Sequence, residues 1–115
     1  MNKELQNWGL VFCENLLDEL EGTLSVYSNL TEEEICATDI EIDNVKLLYD
    51  FFKDPTKKGN IKIKKWSLRI FNEQIDNIEN FDYMDVSVST SDRVAVLEHL
   101  DCCRQLKRVI MGWKK

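Results

Sequence analysis

The sequence has little of what many functional classes require. There is one histidine, one proline, and four glycines at positions 9, 22, 59 and 112, none near another. A single histidine removes most Ser-His-Asp and zinc-hydrolase schemes. Scattered glycines leave no Gly-rich loop to cradle a phosphate, and there is no Gly-x-Ser-x-Gly elbow. The four cysteines at 13, 36, 102 and 103 include no Cys-x-x-Cys pair, so neither a zinc framework nor a disulfide framework is indicated. No apolar run approaches the roughly 18 residues that a spanning helix needs. Met1-Asn2-Lys3-Glu4 lacks the basic stretch and apolar block of an export signal. The expectation is a cytoplasmic protein with reduced thiols and no membrane association. Asn29-Leu30-Thr31 fits the glycosylation acceptor pattern, which has no meaning without a secretory route.

What is present is 115 residues with 43% apolar and 10% aromatic side chains, enough to fill a core, and we expect a single domain over residues 1–115. The 21 acids and 15 bases give a net charge of −6, but the signs run in blocks. Residues 1–54 carry −10, residues 55–71 +6, residues 72–92 −6 and residues 93–115 +4. An acidic first half repels phosphate backbones and anionic lipid and attracts a basic protein surface. The basic stretch Lys57-Lys58, Lys62, Lys64-Lys65 and Arg69 lies beside Trp66 and Phe71, a combination seen in single-strand binding. Its alternation with Ile61, Ile63 and Leu68 reads more simply as the wet face of a strand, so direct nucleic-acid contact is not expected.

Periodicity outlines the elements. Leu5, Trp8, Phe12, Leu16 and Leu20 recur every three or four residues, so residues 3–21 read as an amphipathic helix stopped by Gly22. Residues 23–28 alternate as a short strand would. Thr31-Glu32-Glu33-Glu34 is a capping box, and Ile35, Ile42, Val45, Tyr49 and Phe52 continue at helical spacing to Pro55. Asp39-Ile40-Glu41-Ile42-Asp43 alternates like a strand, which suggests a break near Asp43 or Asn44. Residues 60–71 read as a strand with a bulge, against a competing helix marked by Leu68, Phe71, Ile75 and Ile78. Residues 84–88 alternate, and Ser89-Thr90-Ser91-Asp92 offers caps for a last helix carrying Ala95, His99, Cys102, Leu106, Val109 and Trp113. The resulting expectation is an α+β fold, with about three helices packed on a short, mainly antiparallel sheet.

Few constellations carry chemistry. His99, Cys102 and Cys103 share a helical face and suit a metal or a Cys–His pair, but that face is also the apolar stripe, where small cysteines pack as core. Asp39, Glu41 and Asp43 would line one side of a strand, without the glycine and terminal glutamate of a calcium loop. No enzyme, cofactor or metal is therefore expected. The expected function is binding: an inhibitor of the immunity-protein, antitoxin or phage anti-defence type, engaging a basic surface of a toxin or nucleic-acid-acting enzyme. Its face would comprise Glu32, Glu33, Glu34, Asp39, Glu41 and Asp43, anchored by Tyr27, Tyr49, Trp66 and Tyr83. The alternatives are a self-associating structural or regulatory protein, for instance a homodimer through its last helix, and a divergent metal or cysteine protein using His99, Cys102 and Cys103. The many Lys, Asn and Ile residues match AT-rich coding sequence, as in low-GC bacteria and their phages.

Overall fold

The computed structural model describes residues 1–26, 29–56, 58–80 and 90–113. They form four α-helices, α1 Lys3–Val26, α2 Glu32–Lys53, α3 Lys64–Glu79 and α4 Thr90–Met111, with a 3-10 turn at Ile61–Ile63 leading into α3. No strand occurs among the described residues, which overturns the α+β expectation. The strand expected over residues 23–28 is, as far as Val26, the last turn of α1, which runs through Gly22 without stopping. The strand expected over residues 60–71 is the 3-10 turn and the first half of α3, so the competing helical spacing of Leu68, Phe71, Ile75 and Ile78 prevails. The break near Asp43 is absent, because α2 is continuous. The strand expected over residues 84–88 lies outside the described residues.

Each helix end has a local cause. The Asn2 side chain accepts from the Leu5 amide at 2.7 Å and opens α1. Thr31 caps α2 as its sequence signature implies: its hydroxyl oxygen accepts from the Glu34 amide at 3.1 Å, and the three glutamates of the first turn face the positive end of the dipole. Because that cap is exposed and isolated from the core, Thr31→Ala is expected to lower stability by about 1 kcal/mol, read by urea denaturation, with no change in the packing of the other helices. α2 ends at Lys53, before Pro55.

The helices pair as two antiparallel hairpins. The Gln6 side chain at the start of α1 donates to the Lys53 carbonyl at the end of α2 (3.3 Å). The Lys64 ammonium at the start of α3 donates to the Trp113 carbonyl just beyond α4 (3.0 Å). Between the hairpins Phe12 stacks on Phe71 at 5.1 Å, and Trp8 meets the His99 ring edge-on at 5.0 Å. The fully buried centre holds Leu48, Phe52, Ile63, Phe71, Leu106 and Ile110. Gly9 lets α1 approach α2 closely, since a Cβ there would stand 2.9 Å from the Phe52 ring. The whole is a slab of 44 × 39 × 19 Å, about two helices thick, so every helix keeps a wet side.

Candidate functional site

The first half of α2 stands clear of the core. Every residue from 32 to 37 is exposed, and Ile42 is the first buried position of the helix. At 1.5 Å per residue the unburied stretch is about 15 Å long. It carries Glu32, Glu33, Glu34 and Asp39, with Asp43 just beyond Ile42; all five are exposed, and among the described residues no lysine or arginine forms an ion pair with any of them. Ile35 and Ile40 lie among these acids, Ile40 being 61% exposed. Ile42, two residues on, faces inward, because neighbours at i and i+2 point about 200° apart on a helix. The same geometry separates Glu41 from Asp39 and Asp43. Glu41 is half-buried and turned toward α3, where its Oε1 lies 3.8 Å from Arg69 Nη2.

The expected aromatic anchors are scattered. Tyr27 and Tyr83 lie outside the described residues. Tyr49 is half-buried on the α1 side of α2, where its hydroxyl donates to Glu14 Oε1 at 3.4 Å and the Lys53 ammonium sits 5.6 Å from the ring centre. Trp66 is half-buried in α3 against the core, its indole Nε1 buried without a hydrogen-bond partner. The structure thus puts Glu32, Asp39 and Asp43 on one side of α2, with Glu33 and Glu34 exposed around its first turn, and sets Glu41, Tyr49 and Trp66 apart from them.

The His99–Cys103 segment is packed rather than poised. Cys103 is fully buried, and burial, with a smaller contribution from Cys102, pushes its thiol up to about 12. Burial also raises the Cys102 thiol, helped by the carboxylates of Asp101, Glu98 and Glu4. Burial lowers His99, whose ring is committed to Trp8. A nucleophilic cysteine needs the opposite shift. Among the described residues, no group of three or more His, Cys, Asp or Glu side chains is arranged to hold a metal ion. Beside this segment a groove of about 470 Å³ runs between α1 and α4, with Leu5 and Trp8 on one wall and Glu98 and Asp101 on the other.

No protein family, curated protein or solved structure matches the chain.

Two further features belong to its surface. Ile40 and Asp50 join the acidic face, the aspartate through the spacing 32, 39, 43 and 50, which keeps four carboxylates on one side of α2. That signal was present in the sequence, but the strand-like alternation around residue 41 masks it. The second feature is a slot between α1 and α2, which no single segment encodes. No helix among the described residues is long and apolar enough to cross a membrane.

Proposed function

We propose that this protein works by binding another protein, as an inhibitor of the immunity, antitoxin or anti-defence type that covers a basic surface or active site with the outer face of α2. The observation that carries the reading is the set of exposed carboxylates at Glu32, Glu33, Glu34, Asp39 and Asp43, unneutralised by any described cation and interleaved with exposed Ile35 and Ile40. Acids draw a basic partner in, and apolar residues at the centre of the contact hold it. Glu41 is left out of the face because Arg69 engages it. The site of action is the cytoplasm, consistent with four free cysteines of which Cys36 is exposed on this same helix. Outside a reducing compartment that thiol would be open to oxidation.

The test is capture of one basic partner at stoichiometric yield, followed by kinetics. Glu32→Lys, Glu33→Lys and Glu34→Lys together should slow association by about 10-fold or more at low salt and flatten its salt dependence, while Ile40→Ser should mainly speed dissociation. Unchanged kinetics in both variants would overturn the assignment of this face.

A further inference from the structure

One stretch of the α1–α2 seam is open. There a slot of about 430 Å³ is walled by Cys13, Leu17, Val45 and Tyr49. Glu14, Lys46 and Asp50, all exposed, stand around its mouth. The size is that of a site for a whole side chain or a small molecule. Its open wall is poorly suited to a polar guest: Leu17 and the Tyr49 ring, both half-buried, form it, while Cys13 and Val45 are almost fully buried at its floor, where burial, with the Glu14 carboxylate adding to it, pushes the Cys13 thiol up to about 12. The one hydroxyl on the wall, that of Tyr49, already donates to Glu14.

The mouth adds a second constraint. Asp50 is the last of the carboxylates at 32, 39, 43 and 50, so the acidic row on α2 runs from its N-terminal end to the lip of the slot. With Glu14 opposite, the lip carries two carboxylates beside the Lys46 ammonium, and the Lys53 ammonium lies 5.6 Å from the Tyr49 ring centre, so the net negative charge comes from the row at Asp39, Asp43 and Asp50 rather than from the lip alone. An anionic amphiphile is repelled by this row, and a bare cation gains nothing from apolar walls. A basic segment that presents one large apolar side chain satisfies both.

We propose that the slot is the anchor pocket for a large apolar side chain carried on a basic segment of a protein partner. This rests on the reading that α2 faces a basic protein, and adds where the contact is anchored. The partner's cations lie along Asp39, Asp43 and Asp50, and its apolar side chain enters between Leu17 and Tyr49. The slot walls come from both helices of the hairpin, so one anchored side chain touches α1 as well as α2 and fixes the register of the bound segment along the acidic row.

Two synthetic helical peptides of equal charge test this, one of Lys and Leu at spacings of three and four, the other of Lys and Ala. The probes are titrated into isotopically labelled full-length protein. The Lys/Leu peptide should shift the amide signals of Cys13, Leu17, Val45 and Tyr49, and bind about tenfold tighter than the Lys/Ala peptide. Leu17→Gln should erase that preference. Should Leu17→Gln perturb folding, Glu14→Gln with Asp50→Asn, two exposed positions, should instead weaken both peptides. Equal affinity of the two peptides, or shifts confined to Ile35 and Ile40, would overturn the anchor pocket and leave the acidic face standing. Failure of both peptides to bind would overturn both readings.

Discussion

Trp113→Ala is expected to lower the stability by about 3–5 kcal/mol, and Gly59→Ala to do nearly the same damage through the same ring. Trp113 is buried just beyond α4, with Phe51 of α2 edge-on to it at 4.8 Å and 71°. The backbone of the loop after α2 closes over it at Gly59. A Cβ at residue 59 would lie 2.2 Å from two carbons of the indole, closer than any real contact, so the ring or the loop has to leave. Conformation is not the reason for the glycine, since its φ lies outside the left-handed region. Space is. The two substitutions should therefore not add: Gly59→Ala in a Trp113→Ala background should change stability by less than about 0.5 kcal/mol, because the atom it strikes is gone. Urea denaturation of the three variants checks this, and additive losses would show that Gly59 acts through something other than Trp113. Against a typical total stability of about 5–15 kcal/mol, either single change removes a fifth of it or more.

The second large effect is expected at the other close approach. Phe52 is fully buried on Gly9, and Phe52→Ala should cost about 3–5 kcal/mol, since a cavity opens where α1, α2 and the neighbouring Phe51 ring meet. The diagnostic is the sign of Gly9→Ala. In the native chain its methyl group would press on the Phe52 ring from 2.9 Å, and overpacking of this kind costs about 1–3 kcal/mol. In the Phe52→Ala background the ring is absent and only helix propensity remains, which favours alanine over glycine by about 1 kcal/mol. Gly9→Ala should then stabilise. Gly22, also within α1 but with nothing near its would-be Cβ, supplies the control: Gly22→Ala should stabilise in both backgrounds. A Gly9→Ala that destabilises regardless of residue 52 would contradict this account of the helix contact. Thermal melts suffice to read the signs.

The helical half of the fold was legible wherever sequence signals agreed with one another. Leu5, Trp8, Phe12, Leu16 and Leu20 marked α1, Thr31 and Glu34 marked the start of α2, and Pro55 marked its end. Sequence and structure diverge where a period of two appears by coincidence. Ile61 and Ile63 look like one face of a strand, but in a 3-10 turn they diverge, leaving Ile61 on the surface and Ile63 2% exposed. Leu24 and Val26 alternate in the same way at the end of α1, with Leu24 half-buried and Val26 75% exposed. At the end of α1 so short an alternation cannot outweigh a helix already propagating from residue 3. The candidate site was legible in part for the same reason. The glutamates of the capping box are exposed as read, whereas Asp39, Glu41 and Asp43, aligned on a strand, separate on a helix, and Arg69 takes Glu41. The slot was not legible at all, because Cys13 and Leu17 meet Val45 and Tyr49 only through tertiary pairing of two helices.

The unburied opening of α2 has a consequence for how such a chain changes over generations. From Glu32 to Ala37 no side chain is buried, so most substitutions there leave folding within about 0.5 kcal/mol of where it was. Drift in this segment is nearly invisible to the core, while Gly9, Phe52, Gly59 and Trp113 tolerate almost none. Substitutions in this segment can therefore accumulate step by step, each intermediate still folded, while selection on the scaffold proceeds independently.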